Sequence, residues 1–187
     1  LVENSKHEFH ILVAERGYTI AENRNYCVVQ AQRSGSDYLF FVDDDMVFVP
    51  DTLEKLLAHK VEVVGVNSMS RCLPLSSTVG LMDKDGKYMH PDYHMPYEMK
   101  MPEELFKVYF VGCGICLIDM KVFEKIEKPY FEFTTYKTGE LKGMVKDGED
   151  GTFCKKVKEV GKDIWCDGSI KIGHLGEYNY QKDVNSI

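Results

Sequence analysis

The spacing of hydrophobic positions changes several times along the chain, and each change marks a predicted element. Residues 8–14 alternate and then run apolar as a strand does; residues 18–33 set Ile20, Cys27, Val28 and Ala31 at helical spacing before Gly35. Tyr38, Leu39, Phe40, Phe41 and Val42 then form an unbroken apolar run between Asp37 and the triplet Asp43, Asp44 and Asp45, the pattern of a parallel strand covered on both faces. Pro50-Asp51 opens a helix in which Asp51 is placed to cap, Glu54 sits at the reciprocal position, and Leu53, Leu56 and Leu57 form the apolar stripe. A strand follows over 61–66. Asp85-Gly86 separates two further runs, 79–84 and 87–90, as a two-residue hairpin turn would, and Pro91, Pro96 and Pro102 make 90–104 an irregular excursion.

Strand character returns over 107–118, interrupted by Gly112 and Gly114, and Asp119 is placed to cap a short helix through Ile126. An aromatic cluster (Tyr130, Phe131, Phe133, Tyr136) leads into the polar stretch 134–147, which has few apolar anchors and reads as a mobile lid or as a plain surface hairpin. A helix starting near Glu149 has the stripe Phe153, Val157 and Val160 and ends at Gly161; short strands are predicted over 164–166 and 169–172. Strand and helix alternate, so the pattern indicates one α/β domain over residues 1–187, with ligands at the carboxyl ends of its strands. That places the three aspartates at the ligand edge. Residues 1–4 resemble the end of an element, and further residues are expected upstream of them.

Composition narrows the function. The 187 residues are 44% hydrophobic and 28% charged, enough for one sizeable core without staples. A net charge of -7 argues against a partner made of nucleic acid, which would call for a basic footprint. No apolar run approaches the roughly 18–20 residues of a membrane span. The six cysteines, scattered in apolar stretches, fit buried free thiols in a reducing compartment better than a disulfide framework.

Several residues could carry chemistry. Three adjacent carboxylates repel one another unless a positive charge sits among them, and Asp43 and Asp45 would project to one side of a continued strand, where they could hold a divalent cation. A solvated acidic turn is the alternative. His174, between Gly173 and Leu175-Gly176, is either an ordinary surface or core histidine or a metal ligand. Glu149 and Asp150 at a helix start satisfy capping and the helix dipole, or supply a general base for an acceptor hydroxyl. Arg24, beside Asn23 and Asn25, reads as a solvent-facing charge or a phosphate clamp. Cys113 and Cys116 would face opposite sides of a strand, which favours structural thiols, and His90 and His94 suit a solvated loop.

Taken in order, these segments resemble the metal-dependent glycosyltransferases of the GT-A fold, most closely family 2 and its compact viral and bacterial members. Residues 21–25 with Ala31 resemble the helix with the family's Ala-Arg-Asn signature, and 37–46 the strand with its Asp-x-Asp. Residues 111–118 with Val122-Phe123 resemble the acceptor-side strand and helix; 148–154 with Gly161, Ile164 and Gly173-His174 resemble the catalytic-carboxylate helix and the closing metal histidine. The resemblance implies a Rossmann-like, mainly parallel mixed sheet flanked by helices, lacking its first strand in this chain. It implies transfer from a nucleotide-diphosphate sugar donor, UDP-linked, to a carbohydrate acceptor, with Mn2+ or Mg2+ and in a cytoplasm, a host's if the protein is viral. Asp45 would be the main metal ligand, Asp43 would lie at the metal or the nucleotide ribose, and His174 would complete the metal shell. Arg24 and Asp44 would join Asp43 in binding the donor, and Asp150, with Glu149 beside it, would be the catalytic base of an inverting enzyme or an acceptor-positioning group in a retaining one. A Mg-dependent phosphoryl-transfer enzyme and a noncatalytic sugar-nucleotide or carbohydrate-binding module are the competing classes; the first lacks a Gly-rich phosphate loop with Lys.

Overall fold

A computed structural model describes residues 6–14, 19–70, 77–82, 85 and 101–176. In chain order the elements are α1 (Ile20–Ser34), β1 (Tyr38–Val42), β2 (Met46–Val47), α2 (Thr52–Ala58), β3 (Val63–Val66), β4 (Val79–Gly80), β5 (Leu105–Val108), β6 (Phe110–Val111), β7 (Ile115–Asp119), β8 (Thr134–Thr135), β9 (Val145–Asp147), α3 (Glu149–Glu159), β10 (Ile164–Asp167) and β11 (Gly173–His174). A 3-10 turn, Met120–Val122, follows β7, with the Asp119 side chain accepting from the Lys121 amide as the capping signal predicts.

The central sheet has the order β1-β7-β3-β10-β5. Strands β1, β3 and β10 point one way, but β7 runs against both β1 and β3, so β3–β10 is the one parallel neighbour pair among the described residues. The sheet is therefore mixed, and β1, expected in a parallel setting, pairs antiparallel with β7 through Tyr38↔Asp119 to Val42↔Ile115. Side-chain alternation sorts the strands onto two faces. Leu39, Phe41, Val63, Cys116, Ile118, Ile164 and Cys166 meet α1 and α3 on one side, with Val28, Ala31, Phe153 and Val157. Phe40, Val64, Val66, Ile115, Leu117 and Trp165 meet Leu53 and Leu56 of α2 on the other. Helices cover both faces, as the α/β pattern predicts.

The aromatic cluster lies under α1 and α3: Phe131 stacks on Phe153 at 4.6 Å between centroids and meets Phe41 edge-on at 5.6 Å. In β3, a Cβ on Gly65 would lie 2.6 Å from Val111 Cγ2, so glycine lets β6 cross closely. Helix α1 begins with a capping box, Thr19 to Glu22, and ends at Gly35, whose φ of 68° is left-handed.

Some expectations change. Residues 8–14 form no strand: only Phe9 packs onto the α2 face, while Ile11 and Val13 are 74% and 82% exposed, because no described strand offers them a ladder. Residues 169–172 are not a strand either; that role falls to β11, which pairs with β2, and Ile170 is buried between. Asp51 makes no side-chain cap bond and pairs with Lys55 at 3.0 Å instead. Val160 lies past the end of α3 and is exposed. Most of the predicted hairpin about Asp85-Gly86, and His90 and His94, lie outside the described residues.

Asp167, 3% exposed at the end of β10, joins β10 to the end of α2. Its Oδ2 lies 2.7 Å from His59 Nε2, and its Oδ1 accepts from the Ser169 amide (2.8 Å) and hydroxyl (2.6 Å). Burial pushes the Asp167 carboxyl up, but the bonds from Ser169 and His59 outweigh it and hold the group below its ordinary value of 3.8. Asp167→Asn is expected to cost about 1–3 kcal/mol in chemical denaturation at neutral pH. A carboxyl with a lowered folded pKa stabilises the fold above its ordinary pKa and loses that contribution as pH falls through the folded value. The gap between wild type and variant should therefore hold down to the ordinary value and close below it.

Candidate active site

The ligand edge is built where β1 stops. The Asp43 amide donates to Gly114 O (2.8 Å) and the Met46 amide to Asp43 O (3.2 Å), which turns the chain over Asp43–Met46. Asp44 is left exposed at the tip, and Asp43 and Asp45 are half-buried, the alternation expected from the sequence. A Cβ on Gly114 would lie 2.7 Å from Met46 Cε, the flexible end of the side chain that packs over this turn.

Pairing of β2 with β11 then sets His174 opposite Met46, and the Leu175 amide donates to Asp45 O (2.8 Å). The histidine is brought from 129 positions away to within 3.1 Å of Asp45 Oδ2, through Nε2. Its Nδ1 lies 2.7 Å from Met69 O. A carbonyl oxygen only accepts, so Nδ1 carries the hydrogen and Nε2 of the neutral ring presents a lone pair to a carboxylate oxygen. Two acceptors face each other at that point, and a proton or a cation between them resolves the conflict. Among the described residues no three His, Cys, Asp or Glu side chains already surround one point as a metal centre. The Asp45–His174 pair has donor chemistry that suits a divalent cation: a carboxylate and an imidazole whose other nitrogen is fixed by a carbonyl.

The second half of the site comes from α1, the β6–β7 turn and α3, and its centre is Arg24. The guanidinium is 4% exposed, so the side chain is not solvent-facing. Nη1 donates to Cys113 O (3.3 Å) and pairs with Asp43 Oδ1 (3.4 Å), Nη2 donates to Asp43 Oδ2 (3.4 Å), and Nε lies 3.5 Å from Glu149 Oε1 and 3.3 Å from Asp150 Oδ1. Its guanidinium carbon also stands 5.2 Å from the centre of the Phe41 ring. Every nitrogen of Arg24 thus faces the protein. Burial opposes its charge, but Cys113 and the carboxylates of Asp150, Asp43 and Glu149 prevail and raise its pKa.

Glu149 and Asp150 open α3, yet neither caps it; Gly148 is the N-cap and receives no side-chain bond. Asp150 Oδ2 accepts from the Cys113 amide at 3.0 Å, while Oδ1 is buried and accepts no hydrogen bond. Burial first, and the charge of Asp150 second, push the Glu149 carboxyl up against the pull of Arg24; burial likewise raises Asp43, with Asp150 and Asp45 adding to it.

Three contributors have weak sequence signals or none. Cys113 acts through its backbone, which binds both Arg24 and Asp150, and Met69 through its carbonyl, so side-chain identity discloses neither. Asn25 stands beside Arg24 in a visible Asn-Arg-Asn triplet, but its task is structural: its amide donates to Ala21 O and Phe131 O, and its oxygen accepts from the Tyr130 and Phe131 amides. Cys113 and Cys116 correct an expectation, because Cys113-Gly114 forms a turn ahead of β7 and places both thiols in the same core. A hydrogen bond between them, with burial, raises the Cys113 thiol well above its ordinary value. Both are free, as are Cys27, Cys154 and Cys166.

Removing one partner of a buried ion cluster leaves the rest uncompensated. Arg24→Met is expected to cost about 3–5 kcal/mol in chemical denaturation at neutral pH. Asp43 and Glu149 have raised pKa values, so protonation relieves the repulsion that the variant unmasks, and its deficit should narrow as pH falls through the carboxyl range.

Residues 1–127 match the family model for Glycosyl transferase family 2. Among solved structures, A197 from STIV superposes with a TM-score of 0.57 at 20% identity, over 87% of this chain and 70% of that one. GalNAc-T7, solved with UDP, GalNAc and Mn2+, gives a TM-score of 0.49 at 11% identity, over 86% of this chain and 31% of that one, so the chain spans about a third of its length. No curated protein matches significantly. The mixed sheet with helices on both faces is a GT-A, Rossmann-like fold. Matched over 127 of its 187 residues on that fold, the chain belongs to glycosyl transferase family 2.

Proposed function

We propose that this glycosyltransferase takes its sugar from a nucleotide-diphosphate sugar, UDP-linked, and passes it to a carbohydrate hydroxyl with the help of Mn2+ or Mg2+. The observation that carries this reading is the apposition of His174 Nε2 and Asp45 Oδ2 at 3.1 Å with Nδ1 already committed to Met69 O. Asp45 and His174 would hold the cation, and Asp43, anchored on its inner side by Arg24, would complete the set. When bound, the cation supplies Lewis-acid stabilisation of the charge that develops on the departing diphosphate. Asp44, exposed at the tip of the turn, would join Asp43 in binding the donor.

Asp150 supplies the acceptor side. Its Oδ2 is tethered by the Cys113 amide and its enclosed Oδ1 lies beside Arg24 Nε, while the side chain as a whole is 24% exposed. An acceptor hydroxyl donating to this carboxylate would be aligned for attack on the anomeric carbon. As the new bond forms and the bond to the diphosphate breaks, the hydroxyl proton passes to Asp150 in an inverting reaction; in a retaining one the same contact orients the acceptor. Glu149, whose side chain is 11% exposed against 24% for Asp150, adds negative charge but is the less accessible of the two.

Calorimetric titration with UDP should show binding with Mn2+ and none with excess chelator; equal affinity in both would refute the metal bridge. Asp45→Asn should weaken cation-dependent binding more than Asp44→Asn, and the reverse order would mean the ligands are misassigned. Asp150→Asn should leave UDP binding nearly intact while transfer falls by about two to four orders of magnitude, the range for loss of a general base. Glu149→Gln should lose less.

A further inference from the structure

Residues 136–146 are all exposed, yet they are not loosely held. The Tyr136 amide donates to Met144 O (3.0 Å), Gly143 to Tyr136 O (2.9 Å), Met144 to Leu141 O (2.9 Å) and Lys142 to Gly139 O (3.2 Å), with Gly139 and Gly143 at left-handed φ of 80° and 86°. At the base the Thr134 hydroxyl donates to Asp147 Oδ2 at 2.6 Å across β8 and β9. The stretch is thus a self-braced hairpin with its own backbone bonds, where the sequence leaves open a mobile lid or a surface hairpin. What it presents is apolar: Leu141, Met144 and Val145 are 48%, 58% and 60% exposed, and Phe133 and Tyr136 are exposed beside them. Within 136–146 stand Lys137, Lys142 and Lys146 against Glu140, a local excess of positive charge on a chain whose net charge is -7, while Asp147 at the base is bonded to Thr134 and Glu132 is paired with Lys156.

We infer that this hairpin docks on an anionic lipid surface. Exposed aliphatic side chains, with aromatic rings and lysines in the same hairpin, match the two forces that hold proteins at bilayer interfaces: burial of apolar surface among acyl chains and attraction of lysine to acidic headgroups. A hairpin exposed along all of 136–146 enters a bilayer interface without a shaped pocket, whereas a protein partner would need a matching surface. The lysines select the acidic lipid. Because β9 runs through Asp147 directly into α3, docking would bring the Asp150 end of that helix toward the membrane. The inference does not rest on glycosyl transfer, and its test does not measure it.

Co-sedimentation of the whole chain with vesicles of phosphatidylcholine, and of equal parts phosphatidylcholine and phosphatidylserine, reads the binding directly. Binding is expected to the mixed vesicles and to fall with added salt. Lys137→Ser, Lys142→Ser and Lys146→Ser together should lower vesicle affinity about 100-fold. Leu141→Ser with Met144→Ser should lower it at least about tenfold. All five positions are exposed, so thermal melts of both variants should match wild type, confirming that the loss is not unfolding. Absence of binding to the mixed vesicles, equal binding to phosphatidylcholine alone, or unchanged binding by either variant would overturn the proposal. So would a dimer in sedimentation equilibrium that Leu141→Ser with Met144→Ser dissolves, since the face would then be an interface between copies.

Discussion

A guanidinium at 4% exposure is stable only if acceptors replace its lost water, and Arg24 finds them in Asp43, Glu149, Asp150 and the carbonyl of Cys113. Those groups arrive from three separate places: the end of β1, the first turn of α3, and the turn between β6 and β7. Each carboxylate is as dependent on the arginine as the arginine is on them, because burial alone raises Asp43 and Glu149 toward the neutral form. The cluster is thus both a tertiary clamp and the device that keeps a carboxylate-rich cleft from repelling itself apart. One positive charge against three negative ones leaves the cleft acidic. That residual charge, together with Asp44 and Asp45 at the rim, is what a divalent cation would neutralise.

The clamp holds because the sheet beneath it has two dry faces. Antiparallel β7 lies between β1 and β3, and its alternation sends Cys116 and Ile118 toward α1 and α3 but Ile115 and Leu117 toward α2. The stacked Phe131 and Phe153 lock α3 against the loop that Asn25 fastens to α1. The two helices that bring Arg24 and Asp150 together are therefore fixed to each other by aromatic packing and side-chain-to-backbone bonds independent of charge. Catalytic geometry on rigid elements, supported by a packed layer, is what precise positioning requires. The helix-start carboxylates show the same logic, since Glu149 and Asp150 benefit from the positive end of α3 while their side chains turn to Arg24 rather than to capping.

Much of this architecture is legible in the chain itself. Apolar period alone separates β1, β3, α1, α2 and α3, because burial on one or both faces must be written in side chains, whereas the single strand read over 107–118 divides into β5, β6 and β7. The triple aspartate after an apolar strand, the acidic pair at a helix start and the histidine between glycines are visible for the same reason: their chemistry resides in side-chain identity. Segments whose fate depends on a partner strand are not legible. Residues 8–14 have the composition of a strand and stay unpaired among the described residues, while Gly173–His174, with little strand character, becomes β11 because β2 is there to receive it.

By itself the sequence determined the α/β class, the edge where aspartates gather and the residue types able to bind a cation or take a proton. Tertiary structure alone decided which of them meet. Arg24 turns inward because Phe41 and the Cys113 carbonyl wait beneath α1, a contact spanning 89 positions that no local spacing encodes. His174 reaches Asp45 across 129 positions, and its proton is placed by the Met69 carbonyl, a backbone group common to every residue. Cys113 and Cys116 share one core because a turn at Gly114 breaks the strand period between them. Local period records which side chains must leave water; it does not record which distant backbone atoms will be there when they do.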